Sequence, residues 1–409
     1  MKKRTELARL KSKWLVLLLL ILSITVMVVC PDADNKKPAD GHSVSDRENK
    51  DSAPESGTPS PLPDPQEPLY NYYTVVKKEP GFDLSMHVLE IDPANSRVEV
   101  RPVSSHATLF GYEFLSVMSE KWEARAAVNG GFSHPDGLLG GMYYIDGKLY
   151  LPATGLYPVL FRKGEEFFLE DVETRIWIDG SVKLDSFYYN KYPRIEGLYV
   201  FTPSYGSQNR IRQRHLNAVV SNGEVRGLVM SSESFEIPED GFLISAIGEY
   251  AQNRLKKVEP GMKLELFHET VAGTKTISGF DWAYECGSWI LKDGEIVVPD
   301  ADNWVGTLRI RTPRTAVGIK EDGKLIFVVA DGRQKGLSDG LTGHELAKEL
   351  LELNVRDAAI LDGGASSEII IEGKIVNSPS AGRERALAAA FIIREKPVHS
   401  QGQIGIDIE

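Results

Sequence analysis

The chain has 409 residues, 42% of them hydrophobic, and a formal net charge of −11. Six basic side chains and one acid fall within residues 1–13, so the remainder carries −16. A body that acidic lacks the clustered Lys and Arg needed to track a nucleic-acid backbone, which argues against nucleic acid as a partner.

Residues 14–30 are apolar apart from Ser23 and Thr25, and a basic flank precedes them. Such a run is at the short end of what spans a bilayer, and the flank keeps to the cytoplasmic side. The expectation is a signal-anchor or transmembrane segment over residues 1–30. It would make the protein single-pass at the cell membrane, with an extracytoplasmic body. Two other readings stay open: a secreted protein with a cleaved signal peptide, and a lipoprotein acylated at Cys30. All three put the body outside the cytoplasm. Residues 31–69 are rich in Pro, Asp and Ser and poor in large apolar residues, so a disordered linker is expected. One large domain over 70–396 and a flexible tail over 397–409 complete the organisation. Cys286, the only cysteine besides Cys30, is read as a small buried side chain, so no disulfide framework is implied.

Within the body, residues 86–91 and 97–101 read as strands joined by a turn at Asp92-Pro93-Ala94-Asn95. The spacing of Phe114, Leu115, Met118 and Trp122 predicts a helix over 110–123. Residues 125–128 form a buried strand running into Asn129-Gly130-Gly131-Phe132. Further strands fall in 140–180 and 195–270, with Asp-Gly turns at Asp146-Gly147 and Asp179-Gly180.

An apolar strand over 324–330 then ends in Asp331-Gly332-Arg333. A helix over 342–353 follows, with Leu346, Ala347, Leu350 and Leu351 inward. A strand over 357–361 ends in Asp362-Gly363-Gly364. A hairpin over 368–371 and 374–376 turns at Glu372-Gly373, and 385–394 supplies a last strand. The strand–helix–strand order predicts that 324–330 and 357–361 pair in parallel through a right-handed crossover. Both Asp-Gly turns would then leave one sheet edge, where ligand crevices form. The fold class expected is α+β, a mixed β-sheet core with a few helices.

The loop Asp362-Gly363-Gly364-Ala365-Ser366-Ser367 combines a carboxylate, a permissive backbone and two hydroxyls. Its successive N–H groups can cradle an anion. Asn129-Gly130-Gly131 has the same character. Glu345 has two readings: a capping box on Thr342, or a catalytic carboxylate. Arg314 is either a surface ion-pair member or a site residue. The eight histidines show no metal-ligand spacing, so zinc is not indicated.

The blocks Asn129-Gly130-Gly131-Phe132, Cys286-Gly287-Ser288-Trp289, Arg314-Thr315-Ala316-Val317-Gly318, Asp331-Gly332-Arg333, Glu345-Leu346-Ala347 and the Asp362 loop occur in this order. Asn377 and Arg385 close the series. Together they resemble the phosphodiester glycosidase domain family over residues 85–394, more loosely between 160 and 275. Two departures stand out: Ala365 replaces a usual glycine, and Ser133 replaces an aromatic.

The resemblance implies an extracytoplasmic hydrolase of the glycosidase type. It would split the C–O bond between a sugar and phosphate in a surface glycan, wall polymer or exopolysaccharide. Asp362, Asp331 and Glu345 are the catalytic candidates. Arg314, Arg333, Gly363 and Gly364 would meet the phosphate, and Asn129, Gly130, Ser366, Ser367 and Arg385 would orient substrate. Calcium or magnesium near Asp331 and Asp362 is the cofactor such carboxylates suit. Two alternatives remain: a wall-polymer-binding module without activity, and a metal-dependent phosphodiesterase cutting the P–O bond.

Overall fold

The computed structural model describes residues 68–106 and 109–397. The expected anchor, the linker up to residue 67 and the tail from 398 lie outside the described residues. Among the described residues no helix is long and apolar enough to cross a membrane.

Four sheets of five to seven strands and three short α-helices make up the body, an α+β fold dominated by strands. The first sheet runs in the order Asn71–Glu79, Phe82–Ile91, Leu325–Ala330, Arg314–Lys320, Val355–Ile360, Trp289–Lys292, Glu295–Ile296. A second places Ala126–Asn129 between Ile369–Ile371 and Ala389–Glu395, with Val98–Ser104 beyond. The other two sheets hold most of residues 143–285.

The uninterrupted apolar strands follow from burial on both faces. In Leu325–Ala330, Leu325, Phe327 and Val329 enter a core shared by all four sheets. Ile326, Val328 and Ala330 face the other way, onto Leu346, Ala347 and Leu350 of the helix Gly343–Glu352. Ala389–Glu395 repeats the scheme: Phe391 and Ile393 point into the shared core, Ala390 and Ile392 towards Leu115 and Met118 of the helix Leu115–Lys121. That helix is shorter than its spacing predicts, and Phe114 is the exposed residue preceding it. Leu351, expected inward, is likewise partly exposed.

Two local signals are realised in detail. Thr342 and Glu345 form a complete capping box. Glu372 and Gly373 take φ of 48° and 73°, the paired left-handed geometry of a tight hairpin turn. Asp179-Gly180, in contrast, is no turn: it ends the long strand Glu166–Gly180 and pairs with Leu264 and Glu265.

The expected parallel pairing is corrected. Arg314–Lys320 lies between Leu325–Ala330 and Val355–Ile360 and is antiparallel to both. Ile319 and Val317 fill the shared core from this middle position. The two outer strands still run in the same direction, because each opposes the same neighbour. Their carboxyl ends, and the start of Arg314–Lys320, therefore meet at one sheet edge.

Asn129 locks that edge to the second sheet. It is fully buried. Its Nδ2 donates to the carbonyls of Asp362 (2.7 Å) and Gly130 (3.1 Å). Its Oδ1 accepts from the Thr315 hydroxyl (2.8 Å) and the Glu368 N–H (3.1 Å). Replacing it strands buried backbone groups as well as losing bonds. Asn129→Ala is expected to lower unfolding free energy by about 3 kcal/mol in denaturant titration. A loss below about 0.5 kcal/mol would show that the network is not what joins the sheets.

Candidate active site

The blocks separated in sequence meet at this edge. The Asp362 N–H donates to Gly130 O (3.2 Å), and the Gly364 N–H to Pro313 O (2.9 Å), just before Arg314. A methyl group placed on Gly364 would lie 3.3 Å from Arg333 Nη1. Asp331 Oδ1 accepts from Asn377 Nδ2 (3.2 Å) and the Ser378 N–H (2.8 Å), which brings in the segment leading to Arg385.

Asp362 is partly covered, and its Oδ1 accepts from the Gly363 N–H at 2.9 Å. Burial raises its pKa, while Ser366, Arg385 and the Gly363 N–H oppose the rise. Ser366 Oγ is near enough to act on that carboxylate, yet it is buried without any partner in hydrogen-bond geometry. A buried hydroxyl without a partner is costly, and it is suited to a ligand atom.

The arginines divide into two kinds. Arg333 and Arg385 are exposed, and neither guanidinium has an ion-pair or hydrogen-bond partner among the described residues. Arg333 is held at φ +60°, a costly conformation for a side chain of its size. Arg314 is buried, with Nε on Leu341 O (2.9 Å) and Nη2 on Ile310 O (3.0 Å). Burial first, then the charge of Arg333, pushes its pKa down to about 10. Its donors on these carbonyls hold the loop beneath Arg333.

Asp331 is buried and satisfied. Besides Asn377 and Ser378, it sits 3.3 Å from His87 Nε2, and His87 Nδ1 lies 2.8 Å from the Tyr72 hydroxyl. Gln334 and Ser378 exchange hydrogen bonds alongside. These contacts clip the Arg333 loop to the segment that leads to Arg385, which makes Asp331 a positioning group. Asn129 is likewise consumed by the protein. Ser367 is buried, with its Oγ 3.1 Å from the Thr315 hydroxyl.

Glu345 is not in the group. Its carboxylate accepts from the Thr342 N–H (2.9 Å) and from Arg311 at Nη2 (2.7 Å) and Nε (3.0 Å). The Arg311 and Thr342 bonds outweigh its partial burial and lower its pKa. Of its two readings, the capping box is the one the geometry uses.

The expected cradle of loop N–H groups is corrected. Those of Gly363, Gly364, Ser366 and Ser367 are spent on Asp362 Oδ1, Pro313 O, Gly363 O and Gly364 O respectively. Only the Ala365 N–H is left. Among the described residues no three His, Cys, Asp or Glu side chains are grouped to hold a metal ion.

Sequence reasoning missed a carboxyl pair. Glu368, directly after the loop, is buried, with Oε1 unpartnered by any conventional donor. It faces Glu384 closely enough to share a proton. Glu384 in turn accepts from Ser116 N (3.0 Å) and Oγ (2.8 Å). Burial first, then Glu384, pushes Glu368 up to about 8. The available signal was a lone charge between Ser367 and Ile369-Ile370-Ile371. His87 gave none, being a single histidine on an apolar strand. Cys286 is buried and its thiol is pushed up by that burial, which disfavours a nucleophilic thiolate.

The fold and the site define an α+β domain with a carboxylate and two free guanidinium groups at one sheet edge, a combination suited to a phosphate-bearing ligand. Residues 214–394 match the family model described as phosphodiester glycosidase. It is 31% identical over 177 residues to the SPbeta prophage-derived uncharacterized protein YomE of Bacillus subtilis (strain 168), covering 42% of this chain and 26% of that protein. It is 28% identical over 172 residues to the mouse N-acetylglucosamine-1-phosphodiester alpha-N-acetylglucosaminidase, covering 39% of this chain and 31% of the mouse protein. The chain thus spans about a third or less of these relatives. The fold is similar to that of a hypothetical protein from Synechocystis, with TM-score 0.69, 18% identity, and 79% of this chain and 61% of that one covered. A protein from Burkholderia pseudomallei K96243 gives TM-score 0.62 at 22% identity, covering 76% and 74%.

Folded Glu368 holds its proton more tightly than the unfolded chain, where a glutamate titrates near 4.5. Its contribution to stability is therefore full below about pH 4.5 and is lost as pH rises towards 8. Wild type should lose on the order of 3 kcal/mol between pH 5 and 8 from this group. Glu368→Gln, which fixes a neutral group there, should flatten that decline in denaturant titrations across pH. Parallel curves for the two proteins would refute the shared proton.

Proposed function

We propose that this protein is a hydrolase that splits the C–O bond joining a sugar to a phosphodiester, acting outside the cytoplasm on a surface glycan or wall polymer. The observation that carries the reading is a partly covered carboxylate, Asp362, beside the unpaired Arg385, with the equally unpaired Arg333 against its loop. The family segment and the activity in the mouse relative's name support the same chemistry.

In this reaction water adds to the anomeric carbon and the C–O bond breaks, its electron pair passing to a phosphate oxygen. The leaving group departs as an anion, so it needs positive charge more than a strong acid. Arg333 and Arg385 supply that charge as charge-assisted, potentially bidentate donors. The Ala365 N–H and the Ser366 hydroxyl are the remaining donors at the loop. Asp362 removes the proton of the attacking water or stabilises positive charge at the anomeric carbon. Arg314, Asp331 and Asn129 hold these groups in place.

The extracytoplasmic location rests on the basic flank and apolar run of residues 1–30, and the membrane is the partner they imply.

Asp362→Asn should lower turnover of an N-acetylglucosamine-1-phosphodiester by about 10²-fold or more while the protein stays folded. Unchanged turnover would remove Asp362 from the mechanism. Glu345→Ala, losing the capping box, should cost about 1 kcal/mol of stability and leave turnover within about twofold. Hydrolysis in ¹⁸O-labelled water should place the label in the sugar. Label in phosphate would mean P–O cleavage and would overturn the reaction assigned here. Saturable glycan binding without sugar release would identify a binding module instead.

A further inference from the structure

Away from the Asp362 loop, a pocket of about 450 Å³ is lined by Tyr192, Ser207, Gln208, Arg210, Arg212 and Ser234. It holds two exposed arginines and no carboxylate, while Glu236 and Glu239 line the neighbouring cavity that shares Ser207 and Gln208. Neither Arg210 nor Arg212 has an ion-pair partner among the described residues, in a chain with more acids than bases.

The segment carrying them is rigidly built. Asn209 is fully buried; its Nδ2 lies within 3.3 Å of His215 Nε2, Asn217 Oδ1 and Ser245 Oγ. Its Oδ1 accepts from the N–H groups of Ile211 (3.2 Å) and Phe235 (2.9 Å). Ile211 is buried on the other side. Between these two anchors Arg210 is forced to φ +60°, and its guanidinium stacks 3.8 Å from the Phe110 ring centroid. A strained arginine, pre-oriented on an aromatic face and lacking an acid, is an arrangement that folding alone does not require.

The pocket is tied to the catalytic edge through one short segment. Phe110 lies beneath Arg210, Glu113 exchanges backbone hydrogen bonds with Leu387, and Ser116 binds Glu384, the residue before Arg385. From Phe110 to Ser116 the chain can span at most about 22 Å.

We propose that this pocket is a second anion subsite, receiving a phosphate further along a substrate built of repeated sugar phosphodiesters. The proposal rests on the hydrolase reading above for the substrate, and it narrows that substrate to a polymer. Arg210 and Arg212 grip the distal phosphate, and Arg333 and Arg385 take the phosphate at the bond being broken.

The test compares wild type with the double variant Arg210→Gln/Arg212→Gln on two probes. One is the methyl phosphodiester of N-acetylglucosamine 1-phosphate, and the other is an oligomer of the same sugar-phosphate repeat. The KM for the oligomer should rise about tenfold or more, with kcat unchanged, while the methyl diester is turned over as before. An oligomer KM within about twofold of wild type, or an equal rise for both probes, overturns the subsite. If wild type hydrolyses neither probe, the hydrolase reading fails, and calorimetric binding of the oligomer then decides the subsite by itself. Binding weakened in the double variant sustains it, and equal binding overturns it.

Discussion

The structure depends on one buried amide. Asn129 ends a strand of the second sheet, and its side chain joins Gly130 and Glu368 beside that sheet to Asp362 and Thr315 of the first. Without it, the carbonyl of Asp362 and the N–H of Glu368 would lose the partner that each finds in this side chain. Those two groups bracket the loop 363–367. Its shape is thus fixed from below, by a residue that spends no atom on a ligand. The same logic recurs one layer out. Arg314 is charged but spends its donors on carbonyls, and Asp331 is a carboxylate whose Oδ1 accepts from Asn377 and Ser378 while its Oδ2 faces His87. What remains free at the edge is small: Asp362, Arg333, Arg385, the Ser366 hydroxyl and one N–H.

That division explains what was legible in the sequence. Signals carried by adjacent residues survive folding unchanged. Thr342 with Glu345 makes its capping box, and Glu372-Gly373 makes its hairpin turn. Asp331-Gly332 and Asp362-Gly363 leave one sheet edge because both follow apolar strands that run the same way. Signals that depend on the partner strand do not survive. The parallel pairing failed because Arg314–Lys320, earlier in the chain, is apolar on both faces and takes the central place. The roles assigned to Asn129, Arg314 and Asp331 shifted for the same reason. The sequence shows a polar residue at a strand end but not whether its bonds are already taken. Glu368 needed the opposite information, a second carboxylate sixteen residues away in sequence, brought up by the helix that holds Glu384.

The two free guanidinium groups at this edge suit an anionic group. Burial raises the pKa of Asp362 and outweighs the opposing pull of Ser366, Arg385 and the Gly363 N–H. An ordinary glycoside calls for a carboxylic acid that keeps its proton at neutral pH. The group with that property here is Glu368, and its proton is engaged with Glu384. The geometry therefore separates Asp362, beside Arg385, from the buried Glu368 carboxyl behind it. Two like charges avoid meeting in the interior, and the free arginines stay available for an incoming anion.

Ala365 shows how a departure from the family pattern can be absorbed. The left-handed conformation in the loop falls on Gly364, at φ +64°, where a Cβ would also come within 3.3 Å of the Arg333 guanidinium. Ala365 is not among the residues with positive φ, so a methyl group there carries no backbone strain. Its N–H is the one that the loop leaves unspent. Ala365 can thus donate as glycine would, while its methyl group narrows the space beside the donor and stiffens the backbone that carries it. The substitution bears on which groups fit against the loop, and leaves untouched the contacts from Asn129, Pro313 and Gly363 that hold the loop in place.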